Sequence, residues 1–391
     1  MSIFASLGAA ARRMLGPGHE ERVTVHANGM IYTGWTKVTV RASIKEAARS
    51  FTLECTERSL VFAEEFNFPP GTKIQIRSNG DLLVDGVVDT YKPKINPEDH
   101  PVVITGRGKG ANYIDGAAEH ETGHEKDKTP LDLAQKLAKK YGIKITSLHK
   151  MEKIAKMQID PGASAFRNVE RYARQQGFAQ MGKANGDIEL ARAGDKRQSG
   201  ALVEGKNIID GEATHSHKGR FSEYHVFGQS RKGVKKDDLR HMAIVRDPGV
   251  TAHRVKKILF EGDATKARCK RRAEAEKNRR AGEGAKGRIV TQGFRDGGGK
   301  LFAPGALNYV ASKALKLDQD MMIESVQWEQ GVEGGSLAAL DIVDPRAHGG
   351  KKPGTVKSGK AWTAGLDDKP VAIDSSVEEI VRMRRALAEG D

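Results

Sequence analysis

One pentapeptide, His120-Glu121-Thr122-Gly123-His124, has residue types and spacing that could do chemistry. In a zinc protease, H-E-x-x-H places two imidazoles on adjacent turns of one helix face, with the glutamate set to activate a metal-bound water. The surrounding residues argue against that chemistry here. Gly123 would sit inside the helix, and few large apolar residues flank it to hold such a helix in a core. Asp127 stands where the extended zinc signature has glycine. The segment reads as a solvated loop between domains, and a zinc-dependent hydrolase built on His120, Glu121 and His124 is kept as an alternative function.

Other candidates are weaker. Gly106-Arg107-Gly108-Lys109-Gly110 follows a strand, but Ala111 to Gly116 is too short a helix to face a phosphate with its N-terminus, so a turn is expected. No G-K-[ST] triplet occurs, which excludes a Walker A loop. His215 and His217 would share a strand face without a third ligand. The two cysteines, Cys55 and Cys269, are far apart, so neither a disulfide framework nor a cysteine zinc site is available. No catalytic, metal or cofactor-binding residue is assigned, and no cofactor is expected. A helix from Asp263 to Arg280 carries Lys266, Arg268, Lys270, Arg271, Arg272, Lys277, Arg279 and Arg280. Its cations point all round, Glu274 and Glu276 interrupt them, and aromatic residues for base stacking are missing. It reads better as a solvated or protein-facing helix than as the core of a nucleic-acid-binding protein, the second alternative.

The elements that would position these residues fall into blocks. Residues 1–21 hold an amphipathic helix with Ile3, Phe4, Leu7, Ala10, Ala11, Met14 and Leu15 on one stripe. From 22 to 118 apolar residues alternate, as in Val38, Val40 and Ala42 or Phe51, Leu53 and Cys55, and Asn79-Gly80 signals a hairpin. About six strands without a crossover helix predict a first antiparallel barrel. Residues 119–198 read as an α/β insertion: Thr129-Pro130 opens one helix, Ser164 a second, and Asn185-Gly186 turns a hairpin. Residues 199–287 would supply strands that complete the barrels, plus the basic helix. Residues 288–345 predict a second small β-barrel. A polar linker and a final helix occupy 346–391, with Val377, Ile380, Val381 and Leu387 as a partner-binding stripe. The fold class expected is therefore α+β and multidomain, with two small antiparallel β-barrels, an α/β insertion and a helical segment.

Length and charge agree with this. At roughly 150 residues per domain, 391 residues make two or three domains. Lys and Arg number 65 against 51 Asp and Glu, a net charge of +14 that favours an acidic partner. No apolar run approaches the roughly 18 residues of a membrane helix, so no membrane anchor and a soluble, cytosolically made chain are expected.

The order of pieces is more specific than any motif. Tyr32-Thr33-Gly34-Trp35, Val38-Thr39-Val40, Ser50-Phe51-Thr52-Leu53, Gly71-Thr72-Lys73-Ile74, Gly86-Val87-Val88-Asp89 and Ile104-Thr105-Gly106-Arg107 resemble the first domain of baseplate hub proteins of Mu-like contractile phage tails. Thr129-Pro130-Leu131, Tyr141-Gly142-Ile143, Glu170-Arg171-Tyr172-Ala173, Gln176-Gly177-Phe178, Leu202-Val203-Glu204-Gly205, Tyr224-His225-Val226-Phe227 and Arg272-Ala273 continue the resemblance, collinearly, over about 22–345. The hub portion of VgrG spikes is similar. The resemblance implies a non-enzymatic structural protein of the virion tail baseplate, assembled in the host cytoplasm. It further implies a homotrimer that adapts a sixfold tail tube protein to a threefold central spike protein, contacts other baseplate components, and lets DNA pass through a central channel. A trimer matching a sixfold tube needs two similar modules per chain. The regions 22–118 and 288–345 are expected to have similar topology, with Asn79-Gly80-Asp81 and Asp318-Gln319-Asp320 at equivalent places and some strands lent from 186–230.

Overall fold

A computed structural model describes residues 21–56, 68–95, 100–230, 239–332 and 334–350. The expected N-terminal helix and the C-terminal stripe Val377, Ile380, Val381 and Leu387 lie outside these residues.

Period-two alternation produces the first strands: β1 (Val23–Ala27), β2 (Met30–Tyr32), β3 (Lys37–Ser43), β4 (Ser50–Thr56), β5 (Lys73–Ser78), β6 (Asp81–Pro93) and β7 (Pro101–Gly108). Val23 and Val25, Val38, Val40 and Ala42, Phe51 and Leu53, and Ile74 and Ile76 all point into the core. Between β5 and β6, Asn79 and Gly80 both take positive φ (48° and 87°), the geometry a tight hairpin requires.

The chain then leaves this sheet. It forms α1 (Ala111–Asp115), β8 (His124–Lys128), α2 (Pro130–Ala138), β9 (Ile145–Thr146), β10 (Ile154–Gln158), α3 (Ala165–Gln175), β11 (Ala179–Gly182) and β12 (Ile188–Ala191). Thr129 accepts the Asp132 N–H while the Asp132 carboxylate accepts the Thr129 N–H, a reciprocal cap that starts α2. Ser164 caps α3. Leu133, Leu137, Val169, Tyr172, Phe178, Ile188 and Leu190 pack into a core of their own.

β13 (Lys196–Val203) and β14 (Asp210–His215) return to the large sheet. β15 (Glu223–Gln229), β16 (Arg240–Arg246) and β17 (Val255–Asp263) form a separate sheet of order β16-β15-β17, on which α4 (Lys266–Glu283) lies. β18 (Ala285–Gln292), β19 (Ala306–Ser312), β20 (Leu317–Gly331) and β21 (Gly335–Val343) complete the large sheet, and a 3-10 turn, Pro345–His348, follows. No described helix is long and apolar enough to cross a membrane.

The expectation of two β-barrels is wrong. The large sheet has 13 strands on the path β14-β18-β21-β20-β3-β4-β7-β6-β5-β1-β2, with β19 on β20 and β13 on β19, and among the described residues it is open: no sheet closes into a barrel. The cause lies in β20, whose 15 residues outrun its hairpin partner β19. β19 covers Leu317–Met322, and beyond an irregularity between Ile323 and Ser325 the same strand bonds β3 over seven positions, Ser325–Gly331 against Ser43–Lys37. The edges that two separate barrels would have kept apart are thereby joined.

The two halves nevertheless repeat. Across the first, the strands run β1-β5-β6-β7-β4-β3; across the second, β13-β19-β20-β21-β18-β14. Ranked along the chain, the strands occupy the same places in both. Every neighbour pair is antiparallel in both halves except the first, which is antiparallel for β1–β5 and parallel for β13–β19. The expected equivalence of Asn79-Gly80-Asp81 and Asp318-Gln319-Asp320 does not hold: Asn79-Gly80 turns into β6, whereas 318–320 lies inside β20, whose preceding turn is 313–316.

One apolar cluster runs through both halves, from Val25 and Leu53 to Leu340 and Ile342. Trp328 lies in it at the β3–β20 ladder, opposite Val40 and 1% exposed. The Arg49 guanidinium stacks 5.4 Å from its ring and donates to the carbonyl oxygens of Leu83 and Gly182, tying β6 and the insertion to the ladder. Burial lowers the Arg49 pKa to about 10. Truncation by Trp328→Ala is expected to cost about 3–5 kcal/mol, read as a lower urea midpoint of one cooperative transition of the large sheet.

Candidate functional site

The H-E-x-x-H residues do not share a helix. Residues 121–123 bend, Gly123 has φ +66°, and His124 opens strand β8, opposite Gln158 of β10. The His120 ring is buried, with Nε2 2.9 Å from Glu125 Oε1. Lys136 reaches the same oxygen at 2.6 Å, and Lys136 and then His120 hold the Glu125 carboxyl below its ordinary range. His124 Nδ1 is 2.9 Å from the Thr122 carbonyl oxygen, and Glu121 is exposed. The expected solvated loop is thus a hydrogen-bonded bend leading into a strand. Among the described residues, no group of three or more His, Cys, Asp or Glu side chains is arranged to hold a metal ion.

The glycine run is mostly strand: Gly106, Arg107 and Gly108 end β7, and only Lys109 and Gly110 turn into α1. A Cβ on Gly106 would lie 2.2 Å from the Val87 carbonyl oxygen and 2.3 Å from the Phe51 ring, so glycine there admits a close strand approach. Arg107 is held by Asp89 and Asp115, and Lys109 by Asp85. His215 is the last residue of β14, its Nε2 2.9 Å from the Leu315 carbonyl oxygen, while His217 lies beyond the strand and shares no face with it.

The basic helix exists but begins later than the sequence suggests, because β17 runs to Asp263 and the Thr265 hydroxyl caps α4 by accepting the Arg268 N–H. Cys269 and Ala273 face the sheet beneath with Tyr224, Val226 and Ala243. Gly228 permits that contact, since a Cβ there would lie 2.4 Å from Ala264 Cβ and 2.9 Å from Cys269 Sγ. Glu276, 1% exposed, collects Arg279 at 2.8 Å, Lys256 at 2.9 Å, Arg280 at 3.0 Å and Arg272 at 3.6 Å. Burial pushes its carboxyl up, but the bonds from Arg279, Lys256 and Arg280 outweigh it and bring the pKa down to about 2. In the sequence Glu276 looks like an interruption of a basic face. The spacing to Arg272, Arg279 and Arg280, four before and three and four after, was the available signal. On the outer face of the same sheet Met242, Ile244 and Leu259 are exposed, an apolar surface that period-two reading of β16 and β17 alone did not single out.

A carboxyl depressed from 4.5 to about 2 contributes stability above its ordinary pKa and loses it as pH falls through this window. The stability of wild type against denaturation is expected to fall between pH 5 and 2, at a slope that Glu276→Gln reduces, the variant being about 2 kcal/mol less stable at pH 7. Equilibrium dialysis of the full chain against zinc should show well under one equivalent bound, and His120→Ala should leave that unchanged.

Residues 22–108 match the family Mu phage baseplate assembly protein GpP-like, N-terminal. Residues 111–192 match the second domain of baseplate hub protein gp44-like, and 265–349 the fourth domain of Mu phage baseplate assembly protein GpP. Baseplate hub protein gp44 of Escherichia phage Mu is 27% identical over 325 residues, which is 78% of this chain and 83% of that protein. The 43 kDa tail protein of prophage MuSo2 from Shewanella oneidensis superposes with a TM-score of 0.75 at 25% identity, covering 85% of this chain and all of that one. A tail protein from Neisseria meningitidis MC58 has the same fold, with a TM-score of 0.71 at 19% identity over 84% of this chain and 99% of that one. These relatives are structural tail and baseplate proteins, in keeping with a site that offers contacts rather than catalysis. The chain belongs to the Mu-like phage baseplate hub proteins of the gp44-like kind, structural components of the virion tail whose fold is related to that of tail-spike and VgrG proteins.

Proposed function

We propose that the chain works as a homotrimeric symmetry adaptor, joining a sixfold tail tube to a threefold central spike around a channel wide enough for DNA. The observation that carries this reading is the repeated strand order within one chain. Three copies of a surface cannot meet six equivalent tube positions unless each copy supplies two similar contact regions. The half-sheets β1-β5-β6-β7-β4-β3 and β13-β19-β20-β21-β18-β14 are two such regions, fixed relative to each other by the β3–β20 ladder. An open sheet suits the role, because among the described strands β2 and β14 at its ends each carry a neighbour on one side only. Kinship with hub proteins supports the tube and spike as partners.

The C-terminal stripe Val377, Ile380, Val381 and Leu387 is proposed to bind a second subunit or the spike, at the end of a polar linker. Light scattering on the purified chain is expected to give three times the monomer mass, and negative-stain images a ring with six peripheral lobes. A monomer at assembly concentrations would remove the adaptor function. Deleting residues 375–391 is expected to weaken assembly and leave the protomer's unfolding curve unchanged.

A further inference from the structure

The β16-β15-β17 sheet has two apolar faces, and α4 covers one of them. Tyr224, Val226 and Ala243 point at α4, against Cys269 and Ala273. Their neighbours along each strand point the other way. On that outer face Phe227 stands between Met242 and Leu259, and in the next row His225 stands between Ile244 and Lys257. Met242, Ile244 and Leu259 are 47%, 46% and 80% exposed. A single exposed apolar residue is ordinary, but three gathered around the half-buried Phe227 form a patch of the kind that marks a contact surface. Its rim is basic, with Arg240 two residues before Met242 on β16 and Lys257 two before Leu259 on β17, both exposed.

Two apolar stripes outside the described residues could cover this face, and they differ in charge and in place. The first 15 residues hold Arg12 and Arg13 and no acid, so their charge has the same sign as the rim. They join the described chain near Glu21, which Arg295 and Ser78 hold on the large sheet. Residues 366–381 instead carry Asp367, Asp368, Asp374, Glu378 and Glu379 against Lys369, a net charge of −4. They follow a part of the chain that is fixed to the small sheet. The described residues end at Gly350, just after the Pro345–His348 turn, and Ala347 of that turn lies so close to Gly282 of α4 that a Cβ there would be 2.2 Å from the Ala347 nitrogen. As a coil, the 24 residues 351–374 span roughly 25–30 Å. That is enough to pass from α4 to the opposite side of the sheet, or to the same side in a neighbouring copy.

We propose that the segment 375–387 of one copy lies on the outer face of the β16-β15-β17 sheet of a second. Val377, Ile380, Val381 and Leu387 then cover Met242, Ile244 and Leu259, and the acids at the start of the segment meet Lys257 and Arg240. That the face belongs to a second copy rests on the reading of the stripe above; the fit of segment to face does not.

Met242 reports on the face, because a covered thioether is shielded from oxidant. In the full chain hydrogen peroxide is expected to convert Met242 to its sulfoxide about fivefold more slowly than in a chain shortened to residue 374. A peptide of residues 366–391 added to the shortened chain should restore the slower rate. Arg240→Glu with Lys257→Glu should speed the oxidation in the full chain about twofold. A benzophenone side chain placed at position 259 should link, on irradiation, to 375–387 of another chain. A link within one chain would keep the face and overturn its placement on a second copy. Equal Met242 rates in the full and shortened chains, or links that fall outside 375–387, would overturn the docking and leave the adaptor, judged by the mass in light scattering, standing.

Discussion

The β3–β20 ladder is the constraint on which the large sheet depends. Two stretches nearly 300 residues apart in the chain meet along seven positions, and the strand that receives them is long enough to be shared between β19 and β3. The irregularity at Ile323/Ser325 lets it serve both. Added residues at such irregularities bend a strand and increase its twist. The apolar cluster follows the ladder: Val40 and Trp328 face each other in the middle of a core that continues into both halves. Two half-sheets of matching strand order are thereby held as one rigid pair.

The excursions from the sheet are attached at its strand ends. The α/β insertion begins where β7 stops, and it is fixed to the sheet by backbone contacts, the Asp85 N–H donating to Ala184 and the Gly182 N–H to Glu46. Arg49 adds carbonyl contacts on both sides of that seam. A guanidinium paired with carbonyls and a ring, with no carboxylate beside it among the described residues, loses solvation on burial, which lowers its pKa. The second excursion solves a different problem. Its helix is strongly basic, and Glu276 on its buried side offsets the repulsion among Lys256, Arg272, Arg279 and Arg280. The last described residues are anchored similarly, with Glu324 between His348 and Lys45 at 2.7 and 2.6 Å.

Placing the chain among hub proteins changes the meaning of surfaces that resemble active sites in isolation. The His120–Glu125–Lys136 group joins β8 to α2, and the glycines of the Gly106–Gly110 run serve strand approach. The surface of the described residues consists of edges and faces: the outer strands of the large sheet, the basic side of α4, and the apolar side of the β16-β15-β17 sheet.

The sequence by itself determined the local elements. Alternation in Val38, Val40 and Ala42 gave β3, Asn79-Gly80 gave the hairpin, and Thr129 and Ser164 gave helix starts, because period, positive φ and capping depend on a few neighbouring residues. It also carried the family resemblance and the correspondence between the strands now labelled β6 and β20. Closure into barrels was not legible. An alternating pattern records which face of a strand is buried and is silent about which strand lies along its edge. The β3–β20 pairing therefore appears only in the folded chain, as does the role of Glu276, whose partner Lys256 is 20 residues away on a strand. Tertiary structure decided these, because edge bonding and burial of a charge depend on groups brought together from distant parts of the chain.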